Sequence, residues 1–184
     1  MADDGRTAVR PAVEADAAEI AAVQSAAWKV AYTGILPPAL LEGMTVERQA
    51  PLWARWIAGP DFTMGRVLVA EGDGRIVGFA SHERRYGKAG WLVTLYVAPG
   101  THGRGYGRRL VEAVAEAERA TGAIELRARC VARNPFRNFY PHTGWQRVGM
   151  RLSLIGGTPV REIVYRLPLD PASPPPSETS DAPP

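Results

Sequence analysis

Residues 91–110 constrain the fold more than any other stretch. WLVTLYV (91–97) is a continuous apolar, β-branched run, the pattern of a central strand. Pro99 follows it, and then comes THGRGYGRRL (101–110), with glycines at 103, 105 and 107. From about Gly107 to Thr121 apolar residues recur at helical spacing, with Leu110, Val114 and Ala117 on one face and Gly122 placed as the C′ residue. The order is strand, glycine loop, helix. Glycine costs about 0.5–1 kcal/mol relative to alanine in regular structure, so this spacing needs a cause. A helix N-terminus presents unpaired N–H groups and a partial positive charge. Glycines let an anion approach those groups closely, and Arg104, Arg108 and Arg109 add fixed positive charge. The pattern predicts a cradle for a diphosphate.

Two familiar phosphate loops fit poorly. A Walker A loop ends in Gly-Lys-Ser/Thr, and this one ends in Gly-Arg-Arg. The dinucleotide fingerprint spaces its glycines G-x-G-x-x-G near the start of a βαβ unit. Here the spacing is G-x-G-x-G, halfway down the chain. The plain alternative is a flexible turn that merely starts a helix.

Around the loop the chain reads as alternating strands and helices. TAVRP is a short strand. A helix follows, with Asp16 as its cap, Glu19 completing a capping box, and Ile20, Val23, Ala27 and Val30 on one face. YTGILPPALLEG is a turn-rich connector, and Glu47 to Ile57 a second helix with Trp53, Trp56 and Ile57 apolar. Val67–Glu71 and Arg75–Glu83 are strands of a hairpin joined through Gly72-Asp73-Gly74. AIELRARCV is a strand. NPFRNFYPHTGW is a short helix with Pro135 at its first position, and RLSLIGGTPVREIVYRL a hairpin turning at Gly156-Gly157. The class is α+β, or mixed α/β. Residues 1–169 form one domain. Residues 170–184 are a proline- and serine-rich tail with almost nothing to bury, expected to be disordered.

Composition excludes several classes. No apolar run approaches the ~20 residues of a membrane span, and the opening MADDGRTAVRP has no apolar core of the signal-peptide kind. The single cysteine, Cys130, rules out an intrachain disulfide and reads as a small core residue, which fits the reducing cytoplasm. The net charge of +3 is mild and its arginines are scattered, so it allows an anionic ligand without demanding nucleic acid. Three histidines and one cysteine without ligand spacing predict no metal.

LYVAPGTHGRGYGRRLVEAV resembles the acetyl-CoA-binding motif of the GCN5-related N-acetyltransferases, the GNAT superfamily. Its Q/R-x-x-G-x-G/A pattern maps onto His102, Gly103, Arg104, Gly105, Tyr106 and Gly107, with His102 departing from the usual Gln or Arg. VRPAVEADAAEIAAV resembles the family's first strand and helix, so the likeness spans roughly residues 7–168. It implies a central, mostly antiparallel, splayed sheet flanked by helices. The implied co-substrate is acetyl-CoA, held by loop residues 102–108, including Arg108, and by backbone groups around Leu95, Tyr96 and Val97.

The resemblance extends to chemistry. FY…GW in NPFRNFYPHTGW is similar to the family's FY…GF ending and places Tyr140 where many members carry the proton donor to the leaving sulfur. Asn134 resembles a cofactor-contacting asparagine, although an ungapped count from Tyr140 lands on Arg133; a helix cap accounts for Asn134 equally well. Trp91 occupies the position of the usual glutamate base and is an expected wall of the acceptor pocket. Glu83 and His82 are the nearest titratable substitutes, each otherwise a solvated strand-end residue. Trp28 and Tyr32, four apart, either wall the acceptor pocket or pack against the second helix. The implied function is acetyl transfer to a primary amine of a small molecule, a lysine side chain or a protein N-terminus, with no nucleic-acid or membrane partner and a homodimer left open. The rival is a non-catalytic acyl-CoA sensor, kept alive by Trp91.

Overall fold

The computed structural model describes residues 8–59, 66–84 and 88–169. The tail expected at 170–184 lies outside them. Seven strands form one sheet in the order β1-β2-β3-β4-β5-β7-β6. They are β1 (Val9–Pro11), β2 (Arg66–Gly72), β3 (Arg75–Arg84), β4 (Ala89–Val97), β5 (Glu125–Val131), β6 (Gln146–Ile155) and β7 (Thr158–Pro168). Only β4 and β5 run parallel; every other pairing is antiparallel.

Both faces of the first half of the sheet are covered. Strand alternation sends Leu68, Ala70 and Ala80 to one face, where Leu110 and Val114 of α4 (Tyr106–Ala120) fill the core. It sends Val69 and Phe79 to the other, against Ile20 of α1 (Ala17–Tyr32) and Trp53 of α3 (Val46–Ala58). Each fully buried Leu or Val there contributes about 1.5–3 kcal/mol. The two hairpins close as their turn chemistry predicts. Asp73-Gly74 and Gly156-Gly157 take positive φ at both positions, matching the right-handed twist of the flanking strands.

Several local expectations are corrected. Asp16 does not cap α1; its carboxylate is held by Arg10 at 2.7 and 3.0 Å and accepts the Val13 amide at 2.8 Å. Glu19 likewise reaches away from the helix start and accepts the Ile76 amide at 2.9 Å. The connector contains a helix, α2 (Pro38–Glu42), with proline at its first position. The helix expected from Pro135 is only α5 (Phe139–His142), because Asn134 Oδ1 accepts the Phe136 amide at 2.8 Å and holds residues 134–138 in turns. Val30 is half exposed rather than core, since the sheet opens beneath it. No helix among the described residues is long and apolar enough to cross a membrane.

Candidate active site

The site is made by a failure of two strands to stay together. β4 and β5 pair only from Ala89–Leu92 against Glu125–Ala128. Past Leu92 the strands diverge. On its other side β4 pairs Thr94 with Ser81 and Leu92 with His82, so Val93 is the extra residue of a β-bulge. Thr94 plugs that bulge, its hydroxyl accepting the Ser81 amide at 3.1 Å and lying 2.7 Å from the Ser81 hydroxyl. From Val93 to Val97 the edge of β4 that would meet β5 has no strand partner among the described residues, and these residues line an open cavity of about 1080 Å³. An unpaired strand edge is a row of N–H and C=O groups suited to an extended, amide-bearing ligand.

The glycine loop closes one end of this cavity. Gly103 and Gly105 have φ of +81° and +82°, a left-handed conformation that L side chains rarely adopt. A Cβ at either would meet no protein atom within 4 Å, so the glycines serve the backbone path and leave open space beside it. Gly105 is the N-cap of α4 with no side-chain cap, which leaves the first amides of the helix to the cavity. Arg104, Arg108 and Arg109 are exposed along it. Tyr106 contributes only backbone. Its side chain is buried in the core beneath α4, with its hydroxyl over Gly72. His102 stacks on Phe136 at 4.7 Å, joining the loop to the turn after β5.

Most of the residues expected from the sequence converge here. Leu95, Tyr96, Val97, residues 102–108, Asn134, Tyr140 and Tyr32 all line the cavity. Tyr140 lies face to face with Tyr165 (4.5 Å, 9°) and edge-on to Trp145, which fixes its ring. Burial raises its phenol well above the ordinary tyrosine value, with Cys130 and Tyr32 nearby adding to the effect. Asn134 is buried in the wall, whereas Arg133 is exposed and donates to the Gly34 carbonyl at 3.2 Å. A polar string leads inward, with the Trp28 indole donating to the Tyr96 hydroxyl at 2.9 Å and the Tyr32 hydroxyl beside Tyr96 and Asn134. Burial raises Tyr32 and Tyr96 as well.

Four expected residues stand outside the lining. Trp28 supports Tyr32 edge-on at 5.0 Å and packs with the cluster around α2, not with α3. Trp91 lies under the Arg129 guanidinium at 5.3 Å. His82 and Glu83 are not solvated strand-end residues but buried, at 5% exposure each. His82 falls on the α4 face of β3 with Ala80, and its Nδ1 lies 2.7 Å from Glu118 Oε1, whereas Glu83 alternates to the opposite face.

Other residues of the wall carried no sequence signal. Val93 is legible only once the bulge is known. Arg129 reads in sequence as one of three alternating polar positions of β5, with Glu125 and Arg127, yet it lines the cavity. Cys130 is buried as expected but also lines it, and burial pushes its thiol up to about 12. At neutral pH it is a protonated thiol and a poor nucleophile. Among the described residues no group of three or more His, Cys, Asp or Glu is placed to hold a metal ion.

Residues 63–147 match the acetyltransferase (GNAT) domain family. No curated protein sequence matches the chain. Among solved structures, a GCN5-related N-acetyltransferase from Rhodopseudomonas palustris is similar, with a TM-score of 0.71 and 23% identity over 88% of this chain and 95% of that one. The PaiA N-acetyltransferase of Thermoplasma acidophilum, solved with coenzyme A, has a TM-score of 0.64 at 18% identity over 88% and 98%. YncA of Salmonella typhimurium, solved with acetyl-CoA, has a TM-score of 0.63 at 21% identity over 92% and 98%. Residues 63–147 carry the acetyltransferase (GNAT) domain match, and the fold is shared with solved GNAT structures.

Proposed function

We propose that this chain is a GNAT acetyltransferase that moves an acetyl group from acetyl-CoA directly to a primary amine. The observation that carries the reading is the unpaired β4 edge, Val93 to Val97, running into the glycine loop at the N-terminus of α4. The edge offers backbone pairing to the amides of the pantetheine arm. The loop amides and Arg104, Arg108 and Arg109 offer charge-assisted bonds to the diphosphate. The neutral amine nitrogen attacks the thioester carbonyl, and the C–S bond breaks as the tetrahedral intermediate collapses. The proton the nitrogen sheds passes through water and restores the phenol that protonates the thiolate. The departing thiolate takes a proton from Tyr140, whose phenol burial raises above the ordinary tyrosine value, so that it is protonated at neutral pH. Cys130, protonated and buried, is unsuited to an acyl-enzyme, which favours direct transfer.

No carboxylate lines the inner part of the cavity among the described residues; the one acidic side chain of the lining, Glu112, belongs to α4 beside the loop. With His82 and Glu83 outside the lining, the ammonium form of the acceptor loses its proton to water. kcat/KM is therefore expected to rise with pH through the pKa of the acceptor and not to fall below pH ~10, the ordinary tyrosine value. The same lack of a lining carboxylate favours the rival sensor reading. Amine-dependent release of CoA, followed with a thiol reagent, separates the two: tight acetyl-CoA binding without amine-dependent release sinks the enzyme reading.

A further inference from the structure

Four arginines line the cavity, and they divide by wall. Arg104, Arg108 and Arg109 belong to the glycine loop and the first turn of α4. Arg129 comes from β5, on the opposite side of the split. Its neighbours on the sheet have their donors occupied: Arg127 and Arg166 both bond Glu125, at 2.7 and 2.5 Å. Arg129 makes no hydrogen bond to any described residue. Its guanidinium lies over the Trp91 ring at 5.3 Å and stands 3.9 Å from Glu162. That carboxylate is shared with Arg151, also at 3.9 Å, and lies 2.5 Å from the Ser153 hydroxyl. Two arginines on one carboxylate leave a net positive charge, and the planar fork of Arg129 remains free for a bidentate partner.

The surroundings limit what that partner is attached to. Ala27, Val30 and Ala31 of α1 and Val93 of β4 line the same cavity and are small and apolar. Outside the lining, Leu40 of α2 packs over Gly156 of the β6–β7 turn, and Arg133 donates to the Gly34 carbonyl. Small apolar side chains beside one arginine suit a compact acceptor that carries an anionic group.

We propose that Arg129 recognises a carboxylate on a small acceptor, so that the substrate class is an amino-carboxylate rather than a plain amine or polyamine. The inference rests on the acetyltransferase reading above. Trp91, standing where a glutamate base is usual in the family, has a role in it: its ring face holds the guanidinium in place without neutralising it, as a carboxylate there would.

The test is CoA release with amino acids, each paired with its amide and its decarboxylated amine. The parent protein is expected to prefer the acids by tenfold or more in kcat/KM, chiefly through KM. The matching carboxylic acids that lack the amine are expected to inhibit competitively against the acceptor. Arg129→Gln should abolish both the preference and the inhibition while leaving CoA affinity, measured by calorimetry, unchanged. Arg129→Lys should restore part of both, which shows that charge and not loss of packing on Trp91 is responsible. Equal turnover of acids and amides, or a preference that survives Arg129→Gln, overturns this inference alone. Turnover with no amine of any kind, with acetyl-CoA still bound, overturns the acetyltransferase reading and this inference with it.

Discussion

The two ends of the β4–β5 pair are built from the same strands and behave oppositely. At the lower end, Ala89–Leu92 hydrogen-bond to β5, and Leu92, Leu126 and Ala128 are buried under α4. Gly90 lets the Glu118 carboxylate lie directly over the strand, where His82 holds it. At the upper end, Val93–Val97 have no strand partner on the β5 side among the described residues, Val93 is 42% exposed, and the wall opposite carries Arg129, Cys130 and Asn134. The bulge at Val93 is the boundary. A sheet that was paired throughout would have no room for a ligand, and one unpaired throughout would lose its centre. Function here needs a strong lower end to hold a deliberately unpaired upper one.

Four substitutions break or sharpen that contrast. The largest effect is expected at the open end. Tyr140→Phe removes one hydroxyl from a ring fixed by Tyr165 and Trp145, and turnover should fall by about 10²–10⁴ with CoA affinity intact. Steady-state rates beside calorimetry check this. Full turnover would take the role from Tyr140, and Tyr32→Phe, the neighbouring hydroxyl of the wall, is the comparison to make.

The next effect belongs to the closed end. In Gly90→Ala the added Cβ would come within 2.7 Å of the Glu118 side chain. Overpacking of this kind costs about 1–3 kcal/mol, read as a lower denaturation midpoint, with the shape of the pH–rate profile kept. If stability is untouched but the profile changes, the buried His82–Glu118 pair takes part in proton transfer after all.

Gly105→Val acts on the ligand side. Its φ of +82° strains any β-branched residue, at about 1–2 kcal/mol, and the new side chain fills space open to the diphosphate. CoA affinity should drop about tenfold or more in a protein that still folds; unchanged affinity would remove the cradle.

The smallest effect lies at the far edge of the sheet, away from both ends. Arg10 holds the Asp16 carboxyl below the usual carboxylate range. A lowered folded-state pKa gives stability that is present above the ordinary carboxylate value and is lost as pH falls through the lowered one. Asp16→Asn should cost about 1 kcal/mol near neutral pH, because Arg10 is a third exposed and solvent screens the pair. It should also flatten the acid limb of a melting-temperature profile. An unchanged acid limb would mean that other carboxylates set it.

What the sequence determined by itself was local. Hydrophobic alternation and Asp-Gly or Gly-Gly turns specify both hairpins, and the glycine loop followed by the 3.6 periodicity of α4 specifies a helix start free for an anion. Each of these depends on residues a few positions apart, where turn geometry and side-chain period act directly. The family resemblance extended that reading to Tyr140, Asn134 and the loop. The tertiary structure alone decided which groups meet across long separations. The split of β4 from β5 follows from pairing that ends at Leu92 and Ala128, 36 positions apart in the chain, and no local pattern encodes where two strands part. His82 looks like a solvated strand-end residue until α4 is laid over it. Arg129 looks like any outward polar residue of an alternating strand. Burial and exposure are set by what packs on a face, and that partner comes from elsewhere in the sequence.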